Sequence, residues 1–288
     1  MDKNGTSQLP GFLVRVQAMY SSLRDSEKKI ADYIKENYQN IMNLTITELA
    51  EKSGTSEAAV VRLCKSLGYK GFQEFKIKAA QDVIQPSRQV HEAIERDDDL
   101  PTIKKKVFNA HIQTLIDTLE ILNDEDFEKA VDLIANANRL EFYGEGGSGV
   151  VALDAQHKFL KIGLKSFASI DSNLQAMLAS LLQKGDVVVG ISHSGASRNL
   201  IESLEIAKKM GASIIAITNY SKSPILKVSD VVLFTISKET AFKSYAMSSR
   251  IAELAIIDAL VMGVAFKHYE ESFKNIQKTR DATLPKKY

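Results

Sequence analysis

Residues 186–199 read Asp186-Val187-Val188-Val189-Gly190-Ile191-Ser192-His193-Ser194-Gly195-Ala196-Ser197-Arg198-Asn199. The apolar run suits a strand buried on both faces, and the Ser/Gly segment behind it is a turn that opens a helix. Working outward from this stretch, β-rich runs recur at 140–143, 166–170, 213–218 and 230–234, with helical stretches between most of them. Strands alternating with crossover helices predict a doubly wound, five-stranded parallel sheet. In such an α/β domain ligands sit at the carboxyl ends of the strands.

The texture ahead of that region is different. Residues 12–84 carry helical spacing almost throughout, and predict an all-α domain over 1–86. Pro86, Asp97-Asp98-Asp99, Pro101 and Lys104-Lys105-Lys106 then mark a linker over 87–106 that runs into a new helix, and the α/β domain takes 107–288. A chain of 288 residues has room for two such domains. A net charge of +1 with 44% hydrophobic residues excludes global disorder and a polycationic coat. Cys64 is the one cysteine, so no intramolecular disulfide and no cysteine-based zinc cluster can form. The first ten residues lack the order of a secretory signal, and Glu253 and Asp258 interrupt the best apolar run at 251–266, so a cytoplasmic protein with no membrane span is expected.

Within the first domain, Thr45 followed by Glu48 has the spacing of a capping box and opens a short helix to Lys52. Ser53-Gly54-Thr55-Ser56 reads as a turn with a new N-cap, and a second helix follows over 57–67: helix-turn-helix spacing. On that second helix Val60, Leu63, Cys64 and Leu67 share a face, which leaves Ala58, Arg62 and Lys65 opposite. A small residue between cations suits close approach to DNA. Arg62 has the reach for a guanine edge, and Lys65, Lys70, Lys76 and Lys78 for phosphates. Between Lys52 and Lys78 stand six basic and two acidic residues, a local excess of four positive charges in a near-neutral chain. A basic helix face alone is commonly just solvated, but here spacing, turn glycine and charge coincide. Cys64, on the apolar face, reads as a core residue and not as a nucleophile.

In the second domain Gly144-Glu145-Gly146-Gly147-Ser148-Gly149 follows the first strand and satisfies G-x-G-x-x-G, with Asp171 ending the next strand where a dinucleotide fold holds its ribose. A nicotinamide cofactor is one reading. The second loop, Ser192 to Ser197, is not needed by a dinucleotide site. Two Gly/Ser loops at neighbouring strand ends suit a small phosphorylated ligand, held by Ser148 on one side and Ser192, Ser194 and Ser197 on the other, with backbone N–H groups of helix N-termini. Flexible surface serines remain the plain alternative for either loop alone. His193 either contacts ligand or caps the loop. Arg250 is an anion contact or a surface ion pair, and His157 a packed or surface residue.

Taken in order, the stretch Glu48-Leu49-Ala50 through Arg62-Leu63-Cys64-Lys65-Ser66-Leu67-Gly68, then Gly71-Phe72-Gln73-Glu74-Phe75-Lys76, and the serine loop at 192–197 resemble the RpiR family of bacterial transcription regulators, a helix-turn-helix followed by a sugar isomerase (SIS) domain. Ile191-Ser192-His193-Ser194-Gly195, Asn199-Leu200 and Ser249-Arg250-Ile251-Ala252 are most similar to HexR-type regulators of hexose catabolism. The resemblance implies a homodimer or homotetramer on a palindromic double-stranded operator, with a sugar phosphate as effector, 2-keto-3-deoxy-6-phosphogluconate among the candidates, and no cofactor or metal. It implies DNA contacts at Thr45, Ser56, Ala58, Ala59, Arg62, Lys65 and Lys70, and effector contacts at Gly144, Gly146, Ser148, Ser192, His193, Ser194, Gly195 and Ser197. The chain departs from the family pattern at Thr55, where an apolar turn residue is usual, and at Ala59, where a threonine is usual. The alternative class is a sugar-phosphate isomerase with an appended regulatory domain, with Glu253 or His193 as its base.

Overall fold

A computed structural model describes residues 11–38, 41, 44–84, 94–237 and 247–284. The chain divides into two compact units, residues 1–120 with 220–222, and residues 121–219 with 223–288.

The first unit is helical: α1 (Gly11–Met19), α2 (Asp25–Asn37), α3 (Ile46–Lys52), α4 (Glu57–Ser66), α5 (Phe72–Ile84) and α6 (Leu100–Ile121). Its core gathers Phe12, Leu13 and Val16 of α1, Ile30 and Ile34 of α2, Leu49 of α3, Val60 and Leu63 of α4 and Phe75 of α5, all buried. Phe12 and Phe75 meet edge to face with ring centroids 5.5 Å apart, and each such side chain contributes about 1.5–3 kcal/mol by leaving water. Residues 87–93 of the expected linker, with 85 and 86 before them, lie outside the described residues. Asp99 Oδ1 accepts from the Thr102 N–H at 2.9 Å and Lys106 Nζ donates to Asp98 Oδ1 at 2.9 Å, so the acidic run caps and charges the start of α6. Pro101 falls in the first turn, where its missing N–H costs nothing.

The second unit runs α7 (Asp124–Ala135), β1 (Leu140–Gly144), α8 (Gly146–Lys161), β2 (Ser166–Ser169), α9 (Ser172–Ala179), β3 (Val187–Ser192), α10 (Arg198–Lys209), β4 (Ser213–Asn219), β5 (Val231–Thr235), α11 (Met247–Lys267) and α12 (Tyr269–Thr283). The strands form one parallel sheet in the order β2-β1-β3-β4-β5. Strand alternation sends Phe142, Val187, Val189, Ile215 and Leu233 to one face, packed against α7, α8 and α11, and Tyr143, Val188, Ile214 and Ala216 to the other, against Leu200 and Leu204 of α10. Gly144 stands level with Ile191 across β1 and β3. The order of connection reverses between those two strands, which makes their carboxyl ends the switch point where open α/β sheets bind ligands. The apolar α11 does not bury its whole surface within the chain: Ala252, Ile256, Ile257, Leu260 and Val264 face inward, whereas Met262 and Phe266 are exposed. Among the described residues no helix is long and apolar enough to cross a membrane.

Candidate functional site

The helix-turn-helix is built by caps. Thr45 Oγ1 accepts from the Glu48 N–H while the Glu48 carboxylate accepts from the Thr45 N–H, closing the capping box of α3. These bonds hold the Glu48 carboxyl below its ordinary value, the Thr45 backbone bond contributing most. Ser56 Oγ accepts from the Ala59 N–H and caps α4. Between them Gly54 adopts φ 63°, a left-handed turn that a side chain would strain. Thr55 is tied into this turn by its own hydrogen bonds: its N–H donates to the Ala50 carbonyl at 2.8 Å, and its hydroxyl lies 2.9 Å from Ser53 Oγ. A hydroxyl pair thus stands at the position for which the resemblance implied an apolar residue.

Ala58, Arg62 and Lys65 of α4 are exposed together with Thr45, Ser56 and Lys70. Ala59 is not among them. It is 1% exposed and faces the core, because one residue further along a helix turns the side chain by about 100°. Lys76 also turns inward: its Nζ donates to the Leu44 carbonyl at 2.8 Å. Arg62 Nε lies 4.0 Å from Oε1 of Glu27 in α2, a buried carboxylate whose other oxygen accepts from the Arg24 N–H. Glu27 therefore restrains Arg62 on the exposed face, a partnership that spacing along one helix does not reveal. Burial pushes the Cys64 thiol up to about 12, as suits a core residue.

At the switch point of the sheet, the loop after β1 leads into α8 and the loop after β3 leads into α10. Gly144 permits the first: a Cβ there would stand 2.7 Å from the Ser148 carbonyl oxygen. Gly146 has φ 54° and Ser148 occupies the first turn of α8, half-buried. In the second loop Gly195 has φ 60°, and its N–H returns to the Ser192 carbonyl at 3.1 Å. Ser192 Oγ and Ser197 Oγ are 3.3 Å apart, and Ser194 Oγ accepts from the Ala196 N–H at 3.2 Å. The half-buried His193 offers its carbonyl to the Asn219 N–H at 3.1 Å, bracing the loop on β4. These loops leave adjacent strands, so Gly144, Gly146 and Ser148 stand on one side and Ser192, His193, Ser194, Gly195 and Ser197 on the other.

The helix starts differ in kind. Asn123, Asp171, Thr45 and Ser56 cap α7, α9, α3 and α4 with their side chains. Glu145 and Ser197, which precede α8 and α10, make no such bond. Both helices at the switch point keep their first N–H groups and positive dipole ends uncapped by side chains, the condition for binding an anion. Asp171, the expected ribose contact of the dinucleotide reading, spends its Oδ1 on the Leu174 N–H at 2.8 Å. Two supporting side chains carried no signal in the sequence. Gln175 of α9 is buried, and its Nε2 donates to the carbonyls of Gly144 and Ser169. Ser223 packs so closely on the second loop that a Cβ at Gly195 would stand 2.3 Å from its hydroxyl.

A helix-turn-helix unit joined to a parallel sheet with two Gly/Ser loops at its switch point defines a class, the transcriptional regulator that carries a small-ligand domain. The chain belongs to the RpiR family: residues 10–86 match the helix-turn-helix domain of that family and residues 133–263 match the SIS domain. An uncharacterized HTH-type transcriptional regulator of Caldanaerobacter subterraneus subsp. tengcongensis is 41% identical over 275 residues, covering 96% of this chain and 98% of that protein. The HTH-type transcriptional regulator HexR of Pseudomonas aeruginosa is 32% identical over 97% of this chain and 98% of its own length. Among solved structures, the Vibrio vulnificus NanR protein complexed with ManNAc-6P aligns with a TM-score of 0.61 at 28% identity, over 96% of this chain and 99% of that one.

Proposed function

We propose that this regulator binds a phosphorylated sugar or sugar acid at the carboxyl ends of β1 and β3, and that the bound effector shifts its affinity for a palindromic operator. The observation that carries the reading is the pair of helix N-termini, α8 and α10, left without side-chain caps beside Ser148, Ser192, Ser194 and Ser197. Backbone N–H groups and hydroxyls in that arrangement match a phosphate dianion. The relative crystallised with ManNAc-6P and the kinship with HexR support the ligand class, with ManNAc-6P and 2-keto-3-deoxy-6-phosphogluconate as the first ligands to test. DNA contacts are assigned to the exposed face of α4, with Arg62 on a base edge and Lys65 and Lys70 on phosphates; Thr45, Ser56 and Ala58 line the approach. The DNA-binding part is taken as 1–86, the connector as 87–106, whose last residues open α6, and the effector part as 107–288. The working form is a cytoplasmic homodimer or homotetramer, since a two-fold operator calls for two copies of the reading helix.

Effector control requires unequal affinity of the ligand for the two DNA-binding states. A regulator also returns its ligand unchanged. The test is a thermal-shift screen of sugar phosphates, in which a ligand at about 100 times its dissociation constant stabilises by roughly 2.7 kcal/mol. Calorimetry on S192A and S194A should follow; each lost hydrogen bond to a charged group contributes about 1.5–3 kcal/mol, so binding falls roughly 10- to 100-fold. Unchanged affinity in an S148A/S194A double variant would place the ligand elsewhere, and conversion of the ligand to an isomer would make the protein an enzyme.

A further inference from the structure

Helix α6 is inside out. Gln113, Thr114, Asp117 and Thr118 are buried along it, with Gln113 Nε2 donating to Asp117 Oδ1 at 2.7 Å. A row of its large apolar residues is left wholly or partly in solvent instead: Phe108 is 66% exposed, Ile112 55%, Leu115 37%, Ile116 39% and Leu119 75%. Isolated exposed apolar residues are ordinary, but a contiguous row of large ones is the mark of a surface that meets a partner.

The row has internal symmetry. Phe108, Ile112, Leu115 and Leu119 are separated by four, three and four positions, the spacing of alternating core positions in a coiled-coil seam. That interval pattern reads the same in both directions. Two copies laid antiparallel about a two-fold axis therefore set Phe108 against Leu119 and Ile112 against Leu115, with every apolar side chain of the seam facing another. Charge selects this orientation over the parallel one. Lys104 and Lys105 are exposed at the start of the helix, while Glu120 ends the row and Asp124 follows it, both exposed. Antiparallel pairing brings the cationic end of one helix to the acidic end of the other, whereas parallel pairing stacks lysine on lysine.

We propose that α6 pairs antiparallel with α6 of a second copy of this chain, across a two-fold axis between Ile112 and Leu115. The proposal deepens the homo-oligomer reading above and names its surface. The row rises about 16 Å, less than the three to four heptads that sustain an independent coiled coil, so this contact acts together with other surfaces of the chain.

Two experiments on the full-length protein test it. L115E puts two carboxylates beside the two-fold axis and should lower the sedimenting mass to the next smaller species. The second uses cysteine variants under mild oxidation, with the buried Cys64 of the unmodified chain as control. F108C/L119C should form an inter-chain disulfide, while F108C alone and L119C alone should not, since each position lies about 16 Å along the axis from its own copy. Cross-linking of either single variant would overturn the antiparallel pairing. An oligomer that survives L115E and gives no cross-link with F108C/L119C would overturn the surface while leaving the homo-oligomer reading intact. A monomeric unmodified protein would remove both.

Discussion

The side-chain amide of Gln175 donates to the Gly144 carbonyl at 3.2 Å and to the Ser169 carbonyl at 2.9 Å, so one buried group ties together the last residues of two neighbouring parallel strands. Where parallel strands end, their final carbonyls lose the partners that the ladder supplies. Here an α9 side chain supplies a donor to both, so these two acceptors are satisfied beside the loop that opens α8. Among the described residues the amide oxygen of Gln175 has no hydrogen-bond partner, which marks the amide nitrogen as the useful end.

Replacing Gln175 by Leu should leave both carbonyls buried without donors, a cost of about 1–3 kcal/mol for each group, lowered by removal of the unpartnered amide oxygen. The expected net loss is about 2–4 kcal/mol in urea unfolding, with effector affinity falling as the α8 loop relaxes. An unchanged unfolding midpoint would show that water replaces the amide at no cost.

Much of this was legible from residue order alone. Thr45 with Glu48, Gly54 and Ser56 announce their caps and turn because those signals are local, and the five strands fall within about a residue or two of the β-rich runs because each begins or ends at a polar residue or a glycine. Ala59 was misplaced because its assignment came from family resemblance, although helical geometry sets it one position away from the exposed Ala58. Gln175, Ser223 and Glu27 were invisible for another reason: their partners Gly144, Gly195 and Arg62 are distant in sequence, and no periodicity links a brace to what it braces. The inverted α6 could not be read either. Spacing identifies an apolar row, but only the fold decides whether its own chain covers it.

Arg62 and Lys70 should separate base reading from phosphate attraction. Arg62→Ala removes a bidentate donor and should cost about 1–3 kcal/mol on the preferred operator, with relaxed preference at one base position. It also strips the buried Glu27 of its cation, so melting should be recorded beside DNA affinity, with Arg62→Lys as the control that keeps charge and loses the fork. Lys70→Ala should weaken all duplexes alike and flatten the salt dependence by roughly one unit of slope. Equal losses on operator and random DNA for both variants would remove Arg62 from base reading.

Cys64 offers a clean probe of the first unit. The thiol is buried on the inner face of α4 and its pKa is pushed up to about 12 by desolvation, so almost no thiolate is present at pH 8. Alkylation in native buffer should be slow and should accelerate sharply in urea in step with loss of helical signal. Rapid labelling of the native protein would mean that α4 opens from the core on the time scale of the reaction.

Glu141 gives stability a pH dependence whose sign can be worked out. It lies wholly buried on β1, with Oε1 accepting from Arg139 Nε at 2.6 Å and Oε2 without a hydrogen-bond partner among the described residues. Burial raises its pKa above the ordinary glutamate value of 4.5; the Arg139 bond opposes that rise, and the nearby Asp186 adds to it. An acid whose pKa is raised by folding binds protons more readily in the folded state. Its contribution is fully present below about 4.5 and is lost as pH climbs through the folded value. Above that folded value the ionised carboxylate is a burden on the fold. Glu141→Gln keeps an oxygen for Arg139 and removes the charge. The variant's stability relative to the unmodified protein should therefore be most favourable at pH 8 and should decline as the solution is taken down through pH 5. Urea unfolding of both proteins at the two pH values measures this directly. A difference that stays constant, or that moves in the variant's favour on acidification, would show that folding does not raise the Glu141 pKa.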